Sequence, residues 1–164
     1  MTDRKRVLKK SRPSFDDYIM EICHAVSRRA TCLHRDQGAV IVMGKHVVSA
    51  GYNGAPPGIT DCLQKQYCSK AKGLPCLAEG LHGESNAIIA AASAGIGIRG
   101  SLIYCIYSPC RVCCNMIKTA GITDVYFEEI YDGFPDGPFY LAELGIIVHC
   151  LKEVFLRGNS HGQT

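Results

Sequence analysis

Two short clusters in the 164-residue chain carry side chains that could do chemistry together: His82-Gly83-Glu84, and Pro109-Cys110-Arg111-Val112-Cys113. Each stands at the head of a run with helical spacing, so each is expected at a helix start, with Pro109 at the first helical position, where its missing N–H has no partner to lose. On a first turn Cys110 and Cys113 share one side, where the helix dipole favours thiolate over thiol. With the His82 imidazole they make three ligands for a tetrahedral Zn²⁺. The fourth position stays open, as in catalytic and unlike structural zinc, and a metal held this way makes hydroxide available at neutral pH. Glu84, two residues beyond His82, is placed to reach the activated water and to carry its proton.

Taken singly, the two thiols could be half of a zinc ribbon and His82 a hydrogen-bonded core residue. Together they form H-x-E followed by P-C-x-x-C, the pattern of zinc nucleobase deaminases, in which hydroxide attacks the carbon bearing an exocyclic amine and ammonia departs. Cys114 points about 100° away from Cys113 around the helix and is read as packing.

Four more cysteines need a reason. Cys32 is expected at the end of the first helix, and Cys62, Cys68 and Cys76 lie in residues 54–81, which hold three Pro and four Gly and keep no sustained period. A loop of this length needs something other than a core to hold it. Four thiolates on a closed, tetrahedral Zn²⁺ would staple the 55–81 insertion to the fold and supply folding energy. A set of unrelated reduced thiols is the alternative, because the five- and seven-residue spacings are looser than those of a zinc finger. Cys23, Cys105 and Cys150 are expected in the core.

The elements that must position these residues follow from periodicity. Ile19, Ile22, Cys23, Val26 and Ala30 recur at helical steps, giving an amphipathic helix over 15–31. GAVIVM (38–43) and HVVSAGYN (46–53), separated by Gly44-Lys45, read as a β-hairpin. Residues 82–94, rich in Ala and Ile, read as a helix buried on nearly every side and stopped at Gly95. A strand at 102–108, a helix over 109–119, a strand at 124–129, a helix over 139–144 and a strand at 146–151 follow. Strands alternating with helices imply an α/β sandwich with a mostly parallel second half.

Composition sets the frame: 47% hydrophobic and 20% charged residues suit a single compact domain, taken as 14–157 with a flexible tail at 158–164. No apolar run is long enough to span a membrane, and no apolar stretch of a secretory signal follows the charged residues at the N-terminus, so a cytoplasmic protein is expected. Ten cysteines in a reducing compartment point to metal or catalysis rather than disulfides. Residues 1–13 carry six Lys or Arg against one acid, a flexible basic arm. A solvated terminus explains such an arm better than nucleic-acid binding does.

GAVIV…GYNGAPPG (38–58), Cys62-x5-Cys68, Cys76, His82-Gly-Glu84-Ser-Asn-Ala and Ser108-Pro-Cys-x-x-Cys113 resemble the deoxycytidylate deaminase family, in particular its bacterial and archaeal branch of late-competence-operon type. The likeness runs from about Phe15 to Leu151. It implies the three-layer α/β/α cytidine-deaminase-like sandwich with a five-stranded mixed sheet, and hydrolysis of dCMP to dUMP and ammonia. It implies His82, Cys110 and Cys113 as ligands of a catalytic zinc, Glu84 as general acid and base, and Cys32, Cys62, Cys68 and Cys76 as the place of a second, structural zinc. Asn53 would hold the sugar hydroxyl, with Gly54 beside it, and Tyr131 would stack on the base. Backbone N–H groups between Gly51 and Gly58 would be candidates to meet a nucleotide phosphate. Family members form homo-oligomers, hexamers or dimers, activated by dCTP and inhibited by dTTP.

Two positions depart from the family's His-Ala-Glu and the long polar residue after it: Gly83, whose missing methyl group would enlarge the pocket or loosen the helix start, and Ser85. They open the choice of substrate. The alternatives are a deaminase of another nucleobase, nucleotide or RNA base, as in the tRNA adenosine deaminases, and a non-catalytic zinc or nucleotide-binding module.

Overall fold

The computed structural model describes residues 11–72 and 81–152. The expected tail at 158–164, residues 1–10 of the expected arm, and Cys76 lie outside the described residues.

The central strand explains the architecture. β1 (Gly38–Met43) is an unbroken apolar run because both its faces are covered. Ala39 and Ile41 face one way, into a cluster with Ala87, Ala91, Ile103, Cys105, Ile117 and Phe127. Val40 and Val42 face the other way, onto Ile19, Met20, Cys23 and Tyr104. Two cores separated by one sheet make a three-layer α/β/α sandwich.

The sheet runs β2-β1-β3-β4-β5, with β2 at His46–Tyr52, β3 at Leu102–Tyr107, β4 at Asp124–Glu129 and β5 at Ile147–Cys150. β1 is antiparallel to β2 and to β3, and β3, β4 and β5 are parallel to one another. The sheet is therefore five-stranded and mixed, as expected. Gly44, at φ +61°, makes the hairpin turn between β1 and β2.

Among the described residues, helix α1 (Phe15–Ser27) is the one helix on its face, capped by Ser14 Oγ, which accepts from Asp17 N at 3.0 Å. It stops earlier than its periodicity suggests. Arg29 N and Ala30 N bond to Val26 O and Ser27 O in a tightened turn, and Thr31 N turns to Asn53 O. Cys32 thus sits in the following segment and not on the helix. On the opposite face lie α3 (Gly83–Ser93), α4 (Arg111–Ala120) and α5 (Gly137–Glu143). Among its described residues, the segment before α3 holds the short α2 (Cys62–Lys65) and a 3-10 turn at Lys70–Lys72. Gly54 and Leu81, bonded to each other's backbone, close its two ends.

Two readings of burial need correction. α3 buries only Gly83, Glu84, Ser85, Ala87 and Ala91, and Ile89 is 44% exposed. It packs on one side against β1 and β2, and its Ala-rich outer side gives a sequence pattern that resembles full burial. Cys150 is exposed because β5 is the edge strand, whereas Cys23, Cys105 and Cys114 are in the core. Among the described residues no helix is long and apolar enough to cross a membrane.

Gly51 sets how closely α3 approaches the sheet. A Cβ there would stand 2.3 Å from both Ala87 N and Gly83 O, atoms of the α3 backbone that cannot move aside singly. Gly51→Ala is expected to cost at least about 2 kcal/mol in a urea titration, since overpacked backbone must shift.

Candidate active site

Helices α3 and α4 both begin at the edge of one cavity of about 150 Å³. His82 and Cys110 are the N-cap residues, with extended backbones and no side-chain capping bond of their own. Pro109 therefore precedes the cap of α4 and is not its first helical residue, because the first helical bond runs from Cys114 N to Cys110 O. Leaving both caps unfilled turns the two side chains toward each other. His82 Nδ1 stands 3.3 Å from Cys110 Sγ and 3.6 Å from Cys113 Sγ. These three ligand atoms lie within 4.8 Å of one another, the one such group of three among the described residues.

An imidazole and two thiols converging through one nitrogen and two sulfurs suit Zn²⁺. The electrostatics agree. Hydrogen bonds from Cys113 and His82 hold the Cys110 thiol well below the usual thiol range against its burial, and Cys113 is pushed up by sharing its proton with Cys110. His82 is raised above the ordinary imidazole range, first by its bond to Cys110. Cys114 turns away and donates to Pro109 O at 3.4 Å.

Glu84 is 2% exposed at the same point. Burial raises its carboxyl above the ordinary range, opposed by its own backbone N–H, the His82 charge and the Gln37 amide. Its Oε1 accepts from Gln37 Nε2 at 3.1 Å. Its Oε2 is buried with no hydrogen bond, the one such side-chain oxygen or nitrogen among the described residues. An orphaned carboxylate oxygen is costly unless something polar meets it in use. The donor set and this oxygen together fit a catalytic metal centre.

The other expected residues are placed as follows. Asn53 is buried at the end of β2, where its Oδ1 accepts from Gly83 N at 2.9 Å and its Nδ2 donates to Arg35 O at 3.0 Å. It thus fills the cap of α3 that His82 leaves open. The Gly54 N–H is spent on Leu81 O and the Asn53 N–H on Gln37 O, so these two groups of the 51–58 loop are not offered to a phosphate. Tyr131 lines the cavity, its Oη accepting from Lys70 Nζ at 2.7 Å and its ring 4.9 Å from the Arg35 guanidinium. Cys32, Cys62 and Cys68 line the same cavity without forming a trio at ligand distance.

Sequence reading missed four residues here. Gln37 touches Glu84. Arg35 lies over both Tyr107 and Tyr131 and pairs with Asp132 at 2.8 Å. Lys70 meets Tyr131, and Ser108 Oγ accepts from Tyr131 N at 2.9 Å. The polar stretch Arg35-Asp36-Gln37 directly before an apolar central strand was the available signal. Gly83 also reads differently in the structure. A Cβ there would meet Gln37 O at 3.1 Å, Gly51 O at 3.2 Å and Gln37 Cγ at 3.3 Å, so the missing methyl makes room for Gln37.

Fold and site together define a cytidine-deaminase-like protein with a His/Cys/Cys metal centre. The model of the cytidine and deoxycytidylate deaminase zinc-binding region matches residues 13–129, and the chain belongs to that family. It is 34% identical over 128 residues to the deoxycytidylate deaminase of Schizosaccharomyces pombe, covering 74% of this chain and 39% of that protein. It is 31% identical over 143 residues to ComE operon protein 2 of Bacillus subtilis, covering 84% and 71%. Among solved structures, the dCMP deaminase of cyanophage S-TIM5 in complex with dCMP and dUMP superposes with a TM-score of 0.75 at 29% identity, covering 87% of this chain and all of that one. The chain thus spans well under half of the fission-yeast relative.

Cys110→Ala is expected to remove one zinc per chain by atomic absorption, whereas Cys114→Ala, which alters only packing, is expected to leave the zinc content unchanged.

Proposed function

We propose that this chain hydrolyses dCMP to dUMP and ammonia. The observation that carries the reading is the buried Glu84 carboxylate, with one oxygen anchored and the other unpartnered, beside a convergent His/Cys/Cys donor set at a cavity with cationic and aromatic residues around it. A purely structural metal has no use for such a carboxylate.

His82 Nδ1, Cys110 Sγ and Cys113 Sγ would hold Zn²⁺, which when bound supplies water activated for attack at neutral pH. Glu84 Oε2 takes the proton of the attacking water and delivers it to ring nitrogen N3 as the C4–O bond forms. It then takes the proton of the new C4 hydroxyl to the exocyclic amine, and the C4–N bond breaks to release ammonia and leave the C4 carbonyl. Burial suits Glu84 to this shuttle, because a carboxylate raised above its ordinary range is a better base for the water's proton and holds that proton until the substrate takes it.

Tyr131 supplies an aromatic face for the base. Asn53, with its oxygen and one amide hydrogen committed to the backbone, has its second amide hydrogen to offer a sugar hydroxyl beside Gly54. Arg35 and Lys70 bring positive charge to the same cavity, which suits a nucleotide better than a nucleoside.

A second zinc is part of the same reading. Cys32, Cys62 and Cys68 share one cavity wall and Cys76 belongs to the same inserted segment, so four thiolates are available to staple it. Family membership further supports a homo-oligomer responsive to dCTP and dTTP. Ile89, Val112 and Phe139, respectively 44%, 68% and 70% exposed on the outer helix layer, are apolar surface such an assembly would cover.

Ammonia release from dCMP, CMP, dCTP, deoxycytidine, cytidine and free purine bases tests the reaction. dCMP is expected to turn over best, and Glu84→Ala to retain zinc while losing activity by about 10³-fold or more. Inert cytosine compounds, or an active Glu84→Ala, overturn it. Zinc is expected at about two per chain, falling to one in Cys68→Ala with a lower melting temperature. One zinc in the unchanged protein removes the second site.

A further inference from the structure

The hydrogen bonds of Gln37 single it out. It directly precedes β1, is 5% exposed, and would ordinarily be a poor choice for such burial. Extending the antiparallel register of β1 and β3 by two residues puts Gln37 opposite Tyr107. There the side-chain amide does what a backbone rung would do. Gln37 Oε1 accepts from Tyr107 N, and Gln37 Nε2 donates to Tyr107 O, each at 3.1 Å.

This pairing decides which end of the amide faces Glu84. A backbone N–H can only donate, so the amide oxygen must face Tyr107 N and the amide nitrogen is left for the carboxylate. The second Nε2–H then reaches Glu84 Oε1 at 3.1 Å. Both amide hydrogens and the amide oxygen are committed, and the group has no rotation left. Glu84 Oε1 is thereby fixed as an acceptor, whereas Oε2 carries no hydrogen bond. Gly83 completes the arrangement, since a Cβ there would stand 3.3 Å from Gln37 Cγ and crowd the stem.

We propose that Gln37 is the positioning residue of this site: its carboxamide, locked to both backbone groups of Tyr107, holds Glu84 Oε1 in place and reserves Oε2 for the proton that moves during deamination. Gln37 acts through Glu84 and touches no reacting atom. The glycine of His82-Gly83-Glu84 leaves room beside the Gln37 backbone and stem. The proposal rests on the reading of Glu84 as the proton carrier.

Gln37→Leu keeps the bulk and removes all three hydrogen bonds. It is expected to lower kcat for dCMP by about 10- to 100-fold, the usual penalty for losing a supporting hydrogen bond or misplacing a catalytic group. KM is expected to stay within about threefold, zinc per chain to be unchanged, and the same substitution to cost nothing further in a Glu84→Ala background. A residue that merely stabilised the fold would lower the rate equally in both backgrounds. Gln37→Met, which keeps the length, gives the same reading should the leucine variant fail to fold. An unchanged kcat in either variant, or an equal loss in the Glu84→Ala background, overturns the proposal.

A measurement that needs no turnover separates this from the fate of the functional reading. In the ¹⁵N spectrum of the zinc-loaded protein, the Gln37 side-chain amide pair, identified by its loss in Gln37→Leu, is expected to shift on Glu84→Gln. A shift in a protein that does not deaminate dCMP leaves Gln37 holding Glu84 and removes the substrate. Active protein whose amide pair is indifferent to Glu84→Gln keeps the reaction and removes the role of Gln37.

Discussion

The contact on which the whole site depends is backbone against backbone, where the first turn of α3 lies on β2 at Gly51. Gly51 puts no side chain between them, and the helix start lies too close to the sheet there for a Cβ to fit. Three polar links pin the same seam. Ser49 Oγ donates to Ala87 O, Asn86 Nδ2 donates to Tyr52 O, both at 2.7 Å, and Asn53 Oδ1 accepts from Gly83 N. With the backbone immobile, His82 and Glu84 inherit fixed origins and need few contacts of their own to be well placed.

The two helix starts use an economy of a different kind. A cap residue ordinarily folds its side chain back on its own helix. Here His82 and Cys110 occupy the cap positions and turn outward, and at α3 the missing bond is made by Asn53 from the end of the neighbouring strand. Both helix N-termini thereby point at one locus, where their dipoles favour the thiolates that would hold a divalent cation.

Much of this was legible in the chain. GAVIVM announced a strand, Gly44-Lys45 announced the hairpin, and the clusters at His82 and Cys110 announced a shared centre because metal ligation demands particular residue types at particular spacings. What was not legible depended on distance in sequence. Nothing local says that Gln37 will stand opposite Tyr107 and reach Glu84, because that meeting follows from sheet register. Arg35 likewise finds Tyr107 and Tyr131 only once β1, β3 and the turn after β4 are side by side. The outer side of α3 misled for a simpler reason, since alanines and isoleucines have the same hydropathy whether a second layer covers them or not. Asn53 has a further part that its place in the sequence does not announce, since its side chain also bonds to the first turn of α3 and to Arg35 O.

The strand order has a consequence for how the protein is made. β1 lies in the middle of the sheet, but its neighbour β3 ends at Tyr107, more than sixty residues after Met43. On the ribosome α1 and the β1–β2 hairpin emerge first, with the other edge of β1 unpaired and its Ala39 and Ile41 face not yet covered by α3. That is the feature by which nascent chains find one another instead of themselves. The interval ends only when β3 arrives to close the edge, with Pro109, Cys110 and Cys113 directly behind it. Closure of the central strand and assembly of the metal-binding set are therefore neighbouring events in the life of the nascent chain, with β4 and β5 still to come.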